Sequence, residues 1–291
     1  MPELPEVETI VRDLKKKIIG RKIIDAWVDT PKLIKNPKNF SDFKEKIKNR
    51  KILDAWRRGK NIILSLSGGK TLLIHQKMTG HLLVGQWKWQ KNNWQPIGDG
   101  YLKEKVNNYI HLLFFLDDNR MFALSDVRKF AKAILIDSEN LNQLSDIKNL
   151  GPEPLDKKFT FAKFKERLKN KKGKIKQILL NQEIIAGLGN IYADETLFLA
   201  RLHPTRRLES LNNAELARIY KSSRLVLKKA IRLRGTSISD YRDTAGKPGG
   251  YDKVRLVYRR EGEKCPRPCQ GLVQRIKIGN RSAHFCPKCQ K

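Results

Sequence analysis

The 291-residue chain has no run of roughly 18 or more apolar residues, so it carries no membrane-spanning helix of ordinary length. Its start, with Glu3, Glu6 and Glu8, lacks the basic and apolar regions of a secretion signal, and a soluble, cytoplasmic protein is expected. Acidic residues are scarce: 30 Asp and Glu stand against 61 Lys and Arg, leaving a formal charge of +31. Such a surplus predicts a polyanionic partner, because each phosphate neutralised releases condensed counterions. Charge alone also suits a ribosomal or membrane-surface protein and does not choose among them. No cysteine precedes Cys265, and the four in the tail form two close pairs, which in a reducing compartment favours metal over disulfides. Internal repeats and low-complexity blocks are absent.

What is present opens with a helix. After Pro5, which suits a first helical turn, Val7, Ile10, Val11, Leu14 and Ile18 keep the three-and-four spacing of an amphipathic helix. Short β-rich runs follow at Ile23–Val28, Ile52–Trp56, Ile62–Leu66, Thr71–His75, Ile110–Leu116, Met121–Leu124 and Ala131–Ile136, with Gly68-Gly69 and Asp117-Asp118-Asn119 as hairpin signals. This pattern predicts an antiparallel sandwich. The Lys- and Trp-rich stretch 86–108 fits no strand and reads as a long exposed loop. Gly151-Pro152-Glu153-Pro154 marks a linker, beyond which helices are expected at 161–168, 175–180, 191–199 and 213–233. Domains are therefore placed at 1–150, 151–252 and 253–291.

Chemistry concentrates at a few points. Removal of Met1 would leave Pro2 as a free secondary amine beside the Glu3 carboxylate, a pairing of nucleophile and acid, although a proline there also simply starts a helix. An α-amino group titrates near 8, so part of it is neutral at pH 7, unlike a lysine. Cys265-Pro-Arg-Pro-Cys269 and Cys286-Pro-Lys-Cys289 are spaced for one tetrahedral zinc ion, and Arg275, Lys277 and Arg281 would put cations on the hairpin between them. Gly187-Leu-Gly-Asn190 opens a helix whose N-terminus favours an anion. Arg57-Arg58-Gly59-Lys60 sets three cations at a turn, and His75 to Gly80 and Asp126 to Phe130 each end a strand in an exposed-looking loop.

Taken together and in this order, Pro2 to Thr9, Asp126-Val-Arg-Lys-Phe130, Ala186 to Tyr192, Gly246-Lys-Pro-Gly249 and the cysteine tail resemble the formamidopyrimidine-DNA glycosylase family over essentially the whole chain. The resemblance implies an α+β multidomain fold: an N-terminal helix plus antiparallel β-sandwich, a helical helix-two-turn-helix domain and a four-cysteine zinc finger hairpin. It implies a monomeric enzyme of bacterial type, nucleoid-associated through damaged double-stranded DNA. Such an enzyme removes oxidised purines through a Schiff base and nicks the abasic site by β,δ-elimination. Pro2, Glu3, Lys60 and Arg281 would form its catalytic set, and His75, Met78, Arg128, Phe130, Lys176 and Asn190 its DNA contacts. Met78, Arg128 and Phe130 would fill the hole left by an extruded nucleotide, and the loop from Thr236 to Tyr251 would close over the base. Cys265, Cys269, Cys286 and Cys289 would hold one Zn2+.

Several residues depart from the family pattern. The first cysteine pair has three intervening residues where two are usual, Gln177 replaces a proline, Ala131 and Arg259 each replace a glycine, and Gly250 stands where an aromatic is common. Members of the related endonuclease VIII branch usually begin Pro-Glu-Gly-Pro, whereas Leu4 here favours the purine branch. A non-catalytic, basic, zinc-containing nucleic-acid-binding protein would explain the charge and cysteines but leave Pro2 and Glu3 coincidental.

Overall fold

Helix α1 (Leu4–Lys17) buries the predicted apolar stripe, with Leu4, Val7, Ile10 and Leu14 fully enclosed. It belongs to the first of two units into which the computed structural model, describing residues 1–238 and 240–291, divides: Met1–Lys148 with Leu233–Asp252, and Asn149–Arg232 with Lys253–Lys291.

The first unit continues with β1 (Lys22–Val28), β2 (Ile34–Asn36), α2 (Phe40–Ile47), β3 (Arg50–Arg58), β4 (Asn61–Leu66), β5 (Lys70–His75), β6 (His81–Gly85), β7 (Trp87–Gln90), β8 (Asn93–Pro96), β9 (Ile110–Leu116), β10 (Met121–Ser125), β11 (Lys132–Asp137) and α3 (Ser145–Lys148). Nine of these strands form one sheet among the described residues, in the order β2-β11-β5-β4-β3-β1-β9-β10-β6. Neighbours pair antiparallel except β2 and β11. At the centre β1 and β3 share only the pairs Lys22↔Lys51 and Ile23↔Arg50, and each strand shifts register just beyond. Such bulges sharpen twist, and the sheet parts there into two leaves. Leu64 and Leu72 of one leaf, Leu112 and Phe114 of the other, and Val7 and Ile10 of α1 share one core, which is the expected sandwich.

β2, α2, β6 and α3 lie outside the predicted runs, and one segment expected to be a loop is structured. Residues 87–96 form the hairpin β7–β8, not an open loop, with Trp89 opposite Trp94. Trp87 and Trp94 are buried against Leu83, Ile110 and Leu113, covering the outer face of the β6–β10–β9 leaf.

In the second unit, α4 (Phe161–Leu168), α5 (Ile175–Leu180), α6 (Asn190–Ala200) and α7 (Asn213–Arg232) lie where the spacing predicts, followed by the hairpin of β12 (Gln274–Ile278) and β13 (Arg281–Phe285). α6 is buried on nearly every side, and its Phe198 shares a small core with Val257, Val273, Cys265 and Cys286. Chain order groups 151–252 together; packing instead sets Leu233–Asp252 in the first unit and 253–291 with the helices. The cause is local. Arg234 and Thr244 bind the Asp13 carboxylate, and the Thr236 N–H donates to Glu6 Oε1 at 2.7 Å.

Candidate active site and metal centre

The N-terminus of α1 is built around two buried carboxylates. Glu3 precedes the helix, and its N–H donates to Glu6 Oε2 at 2.8 Å, one arm of a capping box. Glu3 and Glu6 are 2% and 1% exposed, and Pro2 is buried beside them. With Thr236 on its other oxygen, Glu6 is a clamp between the helix start and the segment after Leu233. No larger residue fits at Gly235, because at its φ of +81° a Cβ would lie 2.7 Å from Glu6 Oε1. Burial pushes the Met1 terminal amine below its ordinary value, Glu3, Glu6 and Asp240 pull it back up, and the Lys60 cation lowers it.

Lys60 reaches this region from the β3–β4 turn, where Gly59 takes a φ of +58°. The turn is less of a solvated tip than the sequence suggests. Lys60 is 8% exposed, and Arg57 is pinned to α1 by Glu8, Nε to Oε2 3.1 Å. Glu8 also takes Arg12 at 2.8 Å.

The two strand-end loops are organised by Asp126, which is fully buried. Its carboxylate accepts the N–H groups of Phe130 and Ala131, both at 2.7 Å, and the Thr79 hydroxyl from the other loop. Lys129 adopts φ +57° to close the turn. The result projects Arg128 and Phe130 outward, guanidinium over ring at 4.5 Å, with Phe130 52% exposed. Met78 is half-buried next to Thr79. His75 is a different kind of residue: burial, with Lys77 and Lys132 nearby, holds its pKa at about 3. It is neutral, and Nδ1 accepts the Lys77 N–H at 2.9 Å.

In the second unit, Asn190 and Arg281 line one cavity of about 610 Å3 together with Tyr258, Arg259, Arg275 and His284. Asn190 Oδ1 is buried and accepts no hydrogen bond among the described residues. Lys176 lies beneath, fully buried, its ammonium 2.6 Å from Asp194 Oδ1 and donating to the Ser282 carbonyl oxygen at 2.5 Å. Asp194 also accepts the His284 N–H at 2.9 Å, and Glu195 accepts those of Leu256, Val257 and Tyr258. Sequence reasoning missed Thr79, Asp194 and Glu195. The signal for the last two was present: adjacent carboxylates inside the apolar run Ile191–Leu199 need partners.

The four cysteines meet. All four sulfurs lie within 4.8 Å of one another, with Cys265–Cys289 at 3.8 Å and Cys269–Cys286 at 3.6 Å. A tetrahedron with Zn–S bonds of about 2.3 Å has edges of about 3.8 Å, so the set fits zinc despite the longer first turn. The Gly271 N–H beside Cys269 lowers its thiol to about 7, whereas burial pushes the Cys265 and Cys289 thiols up, so a bound cation would be needed to hold all four as thiolates. At Gly271 a Cβ would stand 2.6 Å from Cys286 Sγ.

Comparison with known proteins agrees with this arrangement. The family model for the formamidopyrimidine-DNA glycosylase N-terminal domain matches residues 1–133, that for its H2TH domain residues 150–242, and that for the zinc finger found in FPG and IleRS residues 262–291. The formamidopyrimidine-DNA glycosylase of Pelotomaculum thermopropionicum is 41% identical over 100% of this chain and 99% of its own, and that of Desulforamulus reducens 38% over 100% and 99%. The chain belongs to the formamidopyrimidine-DNA glycosylase family. Among solved structures, a complex of Lactococcus lactis Fpg with abasic-site DNA superposes with a TM-score of 0.86 at 34% identity, covering 99% of each chain. A complex of that enzyme with N7-benzyl-Fapy-dG DNA matches with the same score and identity over 100% of each.

Two departures from the family pattern acquire a physical description. Arg259 holds the φ of +52° that a glycine would take without strain, and so adds a cation to the cavity around Arg281. Ala131 is buried in the core of the first unit, its Cβ 3.2 Å from where a side chain on Gly80 would begin.

Proposed function

We propose that the chain is a base-excision repair enzyme that removes 8-oxoguanine and formamidopyrimidine from duplex DNA and nicks the abasic site left behind. The observation that carries this reading is the burial of Pro2 and Glu3 at the start of α1, with Glu6 and Lys60 acting on the same terminus.

Loss of Met1 makes the Pro2 nitrogen a secondary amine, and the burial of Pro2 favours the neutral, nucleophilic form. The N–C1′ bond forms as the glycosidic bond breaks, and the base departs with the bonding pair and takes up a proton. Glu3 supplies a proton to the ring oxygen, the sugar opens, and an iminium cation remains on Pro2. That cation acidifies C2′; loss of a proton there expels the 3′ phosphate, a second proton loss expels the 5′ phosphate, and water releases the amine. Lys60 and Arg281 complete the catalytic set. Arg128 and Phe130, already projected by Asp126, enter the space vacated by the extruded nucleotide with Met78, offsetting an unstacking cost of a few kcal/mol. His75 and Asn190 complete the DNA contacts, while Lys176, fully buried against Asp194, acts behind them by holding β13 through the Ser282 carbonyl oxygen.

One zinc ion on the four cysteines would hold the β12–β13 hairpin, a structural duty with no part in the bond changes. The enzyme acts as a monomer on damaged double-stranded DNA in the bacterial cytoplasm. Functionally its chain divides at 1–150, 151–252 and 253–291.

The test is borohydride trapping on a duplex with one 8-oxoguanine opposite cytosine, alongside the intact protein mass. An adduct mapping to Pro2, lost in Pro2→Gly while DNA binding persists, is expected. Trapping only on oxidised pyrimidine would transfer the chain to the endonuclease VIII branch, and tight binding with no adduct would leave a binding protein.

A further inference from the structure

Asn107, between β8 and β9, is 1% exposed and holds the Gly246 turn from inside the first unit. Its amide nitrogen donates to the carbonyl oxygens of Tyr101 at 2.7 Å and Gly246 at 3.4 Å, and its Oδ1 meets Nε2 of buried His81 at 2.9 Å. Gly246 makes this approach available: at its φ of +79° a Cβ would lie 2.7 Å from Asn107 Nδ2 and 3.0 Å from the Tyr101 backbone. Two further ties reach the same loop. Arg242 Nε donates to Glu104 Oε2 at 3.0 Å, and the Val84 N–H donates to the Thr244 carbonyl oxygen at 2.9 Å. The Lys247 ammonium lies over the Tyr101 ring, 5.5 Å from its centroid. Glu104, Asn107 and Tyr101 all come from the stretch 97–108, so this stretch is the seat on which the Arg242–Lys247 part of the loop rests.

We infer that Asn107 is a positioning residue for base excision: it sets the Gly246 turn so that the 236–251 loop can close over an everted base, and it takes no part in nicking a site that has already lost its base. This rests on the role given above to that loop. Removing the amide leaves two carbonyl oxygens and the His81 ring without their buried partner, and the loop loses its fixed seat. An abasic site presents no base to enclose, so its processing by Pro2 proceeds without that seat.

The experiment compares wild type, Asn107→Ala and Arg242→Gln in single turnover on a duplex containing 8-oxoguanine and on the same duplex with a preformed abasic site, with thermal midpoints and abasic-duplex affinity recorded. Asn107→Ala should slow base release about tenfold, the scale of one buried hydrogen-bond set. Abasic nicking and affinity should stay within about twofold. Arg242→Gln should show the same selectivity with a smaller loss, and decides the matter if Asn107→Ala does not fold. Equal loss on both substrates, or no loss on either in folded variants, overturns the inference and leaves the glycosylase reading standing. Wild-type protein inactive on both duplexes overturns both.

Discussion

Pro2 and Lys60 together define a pH response. An amine is nucleophilic only when neutral; at the Met1 amine, one residue upstream, burial lowers the pKa while Glu3, Glu6 and Asp240 oppose that and Lys60 adds to it, and the Pro2 amine freed by loss of Met1 is buried beside the same carboxylates. The rate of borohydride trapping should therefore rise with pH through a pKa below that of an ordinary α-amine and then level off. Lys60→Gln deletes a positive neighbour, so the amine pKa rises and the limb moves to higher pH; a pH–rate profile that stays in place, or moves down, would contradict the assignment of Lys60 to this terminus. A second residue-scale prediction concerns Lys176 and Asp194, both fully buried. Lys176→Met leaves the Asp194 carboxylate without its cation and should cost about 3–5 kcal/mol in urea denaturation, whereas Lys176→Met combined with Asp194→Leu should recover part of it.

Among the elements, most were legible because their periodicity is clean. Phe161–Leu168 and Ile175–Leu180 coincide with helices because their apolar residues keep a helical spacing, and strands occur at every predicted run because these are short apolar stretches bounded by turn residues. The β7–β8 hairpin escaped for two reasons. Its lysines and glutamines mask the alternation of Trp87 and Trp89, and its turn places Lys91 and Asn92 at φ +50° and +58° with no glycine to announce it. A clue lay elsewhere: Ile110–Leu116 is apolar at both Phe114 and Phe115, and a strand with both faces apolar needs a cover on each. Trp94→Ala should remove about 3–5 kcal/mol of stability if that cover is structural; an unchanged denaturation midpoint would show it is dispensable. At the candidate site the charged motifs were legible as motifs, but their buried partners were not. Asp126, Thr79, Asp194 and Glu195 act by where the backbone brings them, and spacing along the chain does not encode that. At the metal centre, Gly271→Ala would push a methyl group towards Cys286 Sγ. Reduced zinc content per chain, with a lower melting temperature, is expected; full zinc retention would mean the turn relaxes freely.

At the scale of the whole molecule, the charge of +31 makes DNA affinity a function of salt before anything else. If about six phosphates are neutralised, the slope of log K against log salt should be near −5, and a flat plot would deny the backbone a role in binding. The zinc finger and the helices share a core through Phe198, Val257 and Cys286, so chelation should loosen more than the hairpin itself. The division into units has one more consequence. Because Leu233–Asp252 returns to the first unit after the helices have been made, the ribosome releases Glu6, Asp13 and Asn107 long before their partners exist. The N-terminal half must wait, incomplete, through synthesis of the helices, and no gene fragment ending at Lys148 encodes a finished domain. Recombination can move this half intact only together with the helices that lie between its two segments, which ties the inheritance of the nucleophile to theirs.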